Sequence, residues 1–206
     1  MVFVNRVGDI MSDGSKTIEM TEEARDELVE KLEGTNRRMR QEAAHSLAAM
    51  ARERVDLVVD VAPALIDALM LPEAQTRWEC LDALSEIAVV DPEQVLDAFP
   101  GAEDSLFDDA SASVRLAAFR FLSCYGAIAP ECAAEAWPLM SEAVQCYHGD
   151  PEYREMLVCL REFARGDLGD DVKESLVARM SFDAQNGRGL MKAYSAEICS
   201  IVTEEA

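Results

Sequence analysis

The apolar residues of this chain recur with the period of an α-helix, and the pattern itself repeats. Five such segments start 37, 38, 38 and 38 residues apart, at Arg40, Arg77, Arg115, Tyr153 and Met191. Apolar or small residues stand three, four, seven, ten and eleven positions after each start, and at seven they are Leu47, Leu84, Leu122, Leu160 and Ile198. These offsets share one side of a helix with about 3.6 residues per turn. The sequence therefore predicts five first helices in phase, each with one face toward a core.

Second helices are predicted in the intervals between the first ones. Their apolar patterns place them near residues 56–71, 92–99, 131–147 and 170–181, with a leading helix at about 21–33. Polar turns rich in Asp, Ser, Asn, Gly and Pro separate the helix pairs, and several of these residues are suited to cap a helix. Helices and turns thus alternate regularly along the chain.

Proline residues help to place the second helices. Pro63, Pro92 and Pro138 are expected at or near helix starts, because proline has no N–H and the first turn of a helix leaves that group unbonded anyway. The run Phe99-Pro100-Gly101 is expected to cut the second helix of the second repeat short.

A helix pair repeated at this period predicts an all-α fold, a right-handed α-solenoid (α-α superhelix) of about five repeats with period 37–38. We expect one domain over residues 21–206. Residues 1–20 are expected to form a mobile tail, within which Met11 is an alternative start. The predicted repeats lie near residues 36–73, 74–110, 111–149, 150–186 and 187–206.

The first helices carry a motif that resembles HEAT repeats of the armadillo-type α-solenoids. The motif is an arginine near the helix start followed by Ala and Leu at helical spacing, as in residues 39–44, 76–77 and 113–118. The likeness covers residues 36–203. It departs from the family at Tyr153 and Met191, so the last two repeats are diverged or form a terminal cap. The resemblance implies an architecture, which hosts many functions.

The charge of the chain narrows the choice of partners. Its 40 acidic residues outnumber the 19 Lys and Arg, and the net charge is −21. From Trp78 to Val114 ten acidic residues occur without a basic one, and from Phe121 to Tyr153 five more. Such a surface repels phosphate groups and anionic lipid headgroups. We expect no nucleic acid and no membrane as partner. Without a secretory signal or a long apolar run, we expect a cytoplasmic protein.

The residues that most often carry chemistry are poorly placed for it. His45 and His148 lie far apart and outside any metal-ligand spacing, so no metal and no cofactor is predicted. The six cysteines form no C-x-x-C pair and are expected to behave as small hydrophobes. Three of them, Cys124, Cys132 and Cys146, belong to one repeat and are near enough in sequence to approach one another.

An enzyme is the alternative from another class. HEAT-like DNA glycosylases bind a duplex on a basic concave face with aromatic residues, and Trp78, Trp137 and Tyr147 supply rings here. The charge nevertheless opposes DNA. A lyase that acts on a protein-bound pigment is the other enzyme with this architecture. Phosphate loops and nucleophile motifs are missing from the sequence, so we assign no catalytic residue.

The acidic residues of the second helices carry the functional hypothesis. Second helices of HEAT proteins usually line the concave surface, and here they place Asp60, Asp67, Asp97, Glu135 and Glu142 on polar positions between core residues. We expect a protein–protein interaction adaptor or scaffold whose acidic groove binds another protein through a basic segment. The opposing interpretation is a solvated acidic surface that keeps the protein in solution.

Five arginines of the first repeat, namely Arg37, Arg38, Arg40, Arg52 and Arg54, make the molecule electrically lopsided. This dipole is suited to pairing head to tail with a second copy, or to balancing acidic residues on the leading helix. The sequence leaves the oligomeric state open.

Overall fold

Helices dominate the part of the chain that the structure describes. The computed structural model describes residues 21–204, in which no residue is in a β-strand. Its α-helices are α1 (Glu22–Glu33), α2 (Arg37–Arg54), α3 (Ala62–Ala68), α4 (Ala74–Val90), α5 (Phe99–Leu106), α6 (Ala112–Gly126), α7 (Pro130–Cys146), α8 (Tyr153–Phe163), α9 (Asp170–Asn186) and α10 (Gly189–Glu204). The predicted all-α solenoid is confirmed; the predicted tail, residues 1–20, lies outside the described residues.

The helices form two layers. The first layer consists of α2, α4, α6, α8 and α10, each packed against the next. The second layer consists of α1, α3, α5, α7 and α9 with the 3₁₀ segments before α3 and α5, and its members touch one another at few residues. The first layer is therefore the more closely packed of the two.

The first layer follows the sequence prediction closely. α2, α4 and α6 each begin three residues before the predicted arginine, α8 begins at Tyr153 itself, and α10 begins at Gly189. The Asn36 side chain accepts hydrogen bonds from the N–H groups of Arg38 and Met39, which caps α2. Ser111 caps α6 in the same way by accepting from Val114.

The predicted apolar stripe is the core between the layers. Its central residues, Leu47, Leu84, Leu122, Leu160 and Ile198, are all 0% exposed. Gly126 occupies one position of the stripe, where a Cβ atom would lie 2.7 Å from Cε2 of Phe163. Glycine there lets α6 and α8 approach each other with a large ring between them.

The second layer departs from the prediction in the first two repeats. Residues 56–71 do not form one helix, because two 3₁₀ turns, Val55–Leu57 and Val59–Val61, precede the short α3. Residues 92–98 form a 3₁₀ segment rather than an α-helix.

The expectation that Phe99-Pro100-Gly101 ends a helix is wrong, since α5 begins there. Pro100 lies in the first turn, where its missing N–H costs nothing. A Cβ on Gly101 would lie 2.8 Å from Cδ1 of Leu69, so this glycine allows the element to pack closely against the preceding repeat. The prediction that Pro138 lies near a helix start is also wrong. Pro138 lies inside α7, and Pro130 occupies the first turn of this helix instead.

Arginines at the start of the first-layer helices clamp each repeat to the next. Arg40 pairs with Glu73, Arg77 with Asp108, and Arg115 with Glu152, and each arginine side chain is 13–17% exposed. Arg40 and Arg115 also donate to the backbone oxygens of Gly34 and Asp108 in the turn before their own helix. Arg40 and Arg115 therefore each join the turn before their own helix to the start of the next first-layer helix, and Arg77 reaches only the turn before the next one.

The clamp persists in the fourth repeat with a different donor. Tyr153 stands where the arginine would be, and its hydroxyl donates to Oδ2 of Asp183 at 3.0 Å. Nε2 of His148 lies 3.0 Å from the same carboxylate oxygen. The buried carboxylate of Asp183 in α9 thus remains bonded without a guanidinium, both to Tyr153 at the start of α8 and to His148 in the turn before that helix.

Among residues 21–204 no helix is long and apolar enough to cross a membrane.

Candidate interaction surfaces

The five acidic residues predicted to bind a partner are all exposed and all belong to the second layer. Asp60 lies in a 3₁₀ turn, Asp67 in α3, Asp97 in the 3₁₀ segment before α5, and Glu135 and Glu142 in α7. Glu135 accepts a hydrogen bond of 2.6 Å from the hydroxyl of Tyr125. The structure therefore distributes the five over three successive repeats.

These residues are half of a larger set that we call the acidic face. The second-layer segments 55–68, 92–106 and 130–146 contain no Lys or Arg. Their ten acidic residues are all exposed, namely Asp56, Asp60, Asp67, Glu93, Asp97, Glu103, Asp104, Glu131, Glu135 and Glu142. Only half of these acids were predicted as binding residues, and the absence of Lys and Arg from the three segments is the sequence signal that marks the rest.

Several acids of the first layer are bonded to neighbouring side chains. Asp82 lies 2.7 Å from Arg120, and Glu197 lies 2.7 Å from Arg161. Oε1 of Glu79 lies 2.8 Å from Nδ1 of His45. The charge of the chain is thus divided by layer, and the unbalanced negative charge is concentrated on the second.

The five predicted acids share one layer, as expected, and this layer is the more loosely packed of the two. That they line a concave groove stays a prediction, and so does the binding role of Asp60, Asp67, Asp97, Glu135 and Glu142.

The aromatic rings that the DNA glycosylase alternative would use are engaged in packing. The ring of Trp137 stacks on Phe163 at 6.0 Å between centroids, and its Nε1 donates to Oγ of Ser175. The guanidinium of Arg115 lies 4.8 Å from the centroid of Tyr147. Trp78 is half-buried against the core. These rings hold repeats together rather than forming an open stacking surface.

All six cysteines are free thiols. Cys80 is fully buried in the core, in agreement with its predicted structural role. Burial, and then the neighbouring Cys159, raise the pKa of Cys124 to about 12. Cys159 belongs to the next repeat, and its effect on Cys124 was not indicated by spacing along the chain. Among residues 21–204 no three His, Cys, Asp or Glu side chains are grouped as metal ligands.

Comparison with known proteins places the chain by its fold. No protein-family model matches it, and no curated protein matches its sequence significantly. The solved structures that are similar include an engineered protein from the Northeast Structural Genomics Consortium, with 20% identity over 89% of this chain and 86% of the other, at a TM-score of 0.69.

Designed armadillo repeat proteins are similar as well. One, designed for modular peptide recognition, shares 16% identity over 87% of this chain and 82% of its own, at a TM-score of 0.69. Another, solved in complex with the peptide (KR)4, has 16% identity, the same coverage and a TM-score of 0.68. At this identity the likeness concerns architecture. The chain is a helical-repeat solenoid of the armadillo-like kind.

Proposed function

We propose that this chain is a scaffold that binds a basic segment of another protein on its acidic face. The observation that carries the proposal is the set of ten exposed carboxylates in segments without a single Lys or Arg. Of the ten, Asp56 pairs with Arg54, and the others have no ion-pair partner among residues 21–204. A ligand with several cations would relieve their mutual repulsion and be attracted from a distance.

The distribution of these carboxylates favours an extended or helical polypeptide over a small cation. They extend over three successive repeats, so one Lys or Arg residue reaches only a few of them. A segment with several cations along its length would contact the whole face. The similar designed protein in complex with (KR)4 is a precedent for a basic peptide on this kind of stack.

The first test is direct binding of a fluorescein-labelled (KR)4 peptide to the chain, followed by fluorescence anisotropy at low and at high salt. The face variant carries Asp60→Asn, Asp67→Asn, Asp97→Asn, Glu135→Gln and Glu142→Gln. We expect its dissociation constant to rise about tenfold or more at low salt, and the affinity of the native chain to fall with added salt.

The matched control neutralises five exposed acids elsewhere: Glu42→Gln, Glu53→Gln, Asp109→Asn, Asp150→Asn and Glu155→Gln. We expect this control to weaken binding by less than about threefold, because its charges lie off the acidic face. Equal losses in both variants would mean that net charge alone attracts the peptide. Absence of binding by the native chain at low salt would contradict the proposal outright.

A further inference from the structure

A groove of about 400 Å³ crosses the ends of three first-layer helices. Its walls come from the ends of α4 and α6, the turns that follow them, and α8. The lining includes Val89, Pro92, Cys124, Ala127, Ile128 and Glu162. Since these residues belong to three successive repeats, the groove runs along the stack rather than along one helix.

The wall formed by α4 is apolar and uncovered. Val89 is 73% exposed and the adjacent Val90 is 54% exposed, although both are β-branched aliphatic residues that fold inward in most proteins. In the stripe of apolar positions they follow Ala88, the last buried residue of the helix. Exposed aliphatic residues beside a concave, mostly apolar surface are typical of a site that another molecule covers.

Two carboxylates stand at the rim of this apolar groove. Glu162 lines it and is 66% exposed, with Arg165 of the following turn at 2.6 Å. Glu86, one turn before Val90 on α4, has no ion-pair or hydrogen-bond partner among residues 21–204. Burial has the largest effect in raising the pKa of the Cys124 thiol, and the charges of Glu86 and Glu162 raise it further. Glu162 shares its charge with Arg165, so Glu86 is the carboxylate most open to a cation of a bound molecule.

We infer that this groove docks an apolar side chain of a polypeptide segment in which lysine or arginine residues flank that side chain. The apolar side chain would cover Val89 and Ile128, and the flanking cations would meet Glu86 and Glu162. The volume lies within the range of about 300–1,000 Å³ that is usual for ligand pockets. Apart from Pro92 this site is formed by first-layer helices and the turn after α6, and it needs an apolar anchor that the acidic face does not.

The test uses three labelled octapeptides, which alternate leucine with lysine, serine with lysine, and leucine with glutamate. Binding to the full chain is measured by fluorescence anisotropy at high salt, where attraction between distant charges is screened. We expect the leucine–lysine peptide to bind about tenfold or more tightly than either of the others, because it alone supplies both an apolar anchor and flanking cations.

Two variants locate the binding. Val89→Asp places a charge on the apolar wall, and we expect it to weaken the leucine–lysine peptide about tenfold. Because Val89 is largely exposed, the Val89→Asp variant should have the same unfolding midpoint in denaturant as the native chain. The charge reversal Glu86→Lys with Glu162→Lys should transfer the preference to the leucine–glutamate peptide. Glu103→Lys with Glu142→Lys, on the acidic face and outside the groove lining, is the control of equal charge and should leave the preference unchanged.

Equal binding of the serine–lysine and leucine–lysine peptides, together with no effect of Val89→Asp, would overturn the inference. This result would not contradict the proposed binding of a basic segment on the acidic face. The face variant with five neutralised acids is tested with the leucine–lysine peptide as well. If it loses binding of this peptide while Val89→Asp keeps it, the inference is also overturned, since the peptide would then bind to the second layer. If the face variant keeps binding and Val89→Asp loses it, the groove is supported independently of the proposed function.

Discussion

The two layers of this solenoid use the same residue types for different ends. In the first layer, helices lie against one another, and Asp82, Glu197 and Glu79 are bonded to Arg120, Arg161 and His45. In the second layer, helices of neighbouring repeats touch at few residues, and nine of the ten carboxylates of the acidic face have no ion-pair partner among residues 21–204. Close packing requires that charge be neutralised locally, whereas loosely packed helices tolerate like charges because water separates and screens them. Cohesion and net charge are therefore assigned to different layers.

The comparison predicts the largest difference in stability between core residues of the two layers. Leu122 in α6 and Leu65 in α3 are both 0% exposed. Leu122→Ala should destabilise the fold by about 4–5 kcal/mol, because helices on three sides prevent collapse of the cavity, and Leu65→Ala by about 2–3 kcal/mol, because the short α3 can shift. Urea unfolding followed by circular dichroism measures both. Equal losses would show that the layers are equally rigid.

The clamps between repeats give the next largest effect. Arg115→Ala leaves the carboxylate of Glu152 buried without its guanidinium, and we expect a loss of about 2–3 kcal/mol in the free energy of unfolding. Tyr153→Phe removes one neutral donor from Asp183, while Nε2 of His148 stays within reach, so about 1 kcal/mol should be lost. The same denaturation experiment ranks the two, and a larger loss for Tyr153→Phe would reverse the assigned order.

The clamps also make stability depend on pH. Burial by itself raises the pKa of Glu73, Asp108 and Glu152, but the arginine hydrogen bonds and charges outweigh it, and the net pKa of each carboxyl is lowered. A lowered folded-state pKa stabilises the fold above the ordinary carboxyl value of about 4, and this contribution is lost as pH falls through the folded-state pKa.

Glu152→Gln provides the measurement. The native chain should be more stable than this variant by about 1–2 kcal/mol near pH 7, and the difference should shrink as the pH approaches about 3. Chemical denaturation at a series of pH values follows both chains. A difference that stays constant over this range would mean that the carboxylate charge does not stabilise the clamp.

The smallest effect is expected on the acidic face itself. The five substitutions of the face variant remove charge repulsion and few contacts, so stability should rise by about 0.5–1 kcal/mol at low salt and by less at high salt. The control variant on the other surfaces should gain less, since it breaks the pair between Glu42 and Arg38. Thermal melts at two salt concentrations separate these cases. A destabilised face variant would show that the carboxylates contribute structural contacts.

The two layers also differ in how well their helices could be predicted from the sequence. The first layer was predicted well, because each helix there obeys one period with an arginine at its start and a leucine or isoleucine seven residues later. The second layer was predicted less well, because its segments include 3₁₀ turns and prolines that local rules treat as ends. Pro100 begins a helix and Pro138 lies inside one, and both outcomes depend on packing against neighbouring repeats.

The candidate surfaces were also predicted only in part from the sequence. The acidity of the second helices was evident from composition, but how closely each layer packs depends on distances between helices that no single repeat encodes. The groove beside Val89 was missed for the same reason, since its lining residues come from three repeats and only Val89 and Val90, two apolar residues beyond the buried stripe, mark it in the sequence.

The clamps have a consequence for the length of the molecule. Each one connects a helix start only to turns next to it, so no bond of this kind spans the whole stack. A chain from which residues 78–115 were removed would lose one period of 38 residues. Arg77 would then occupy the place of Arg115, ready to meet Glu152, while Arg40 would keep Glu73. Shortening or lengthening by whole units thus preserves every remaining junction, and the reach of the scaffold can evolve by duplication without redesign of its core.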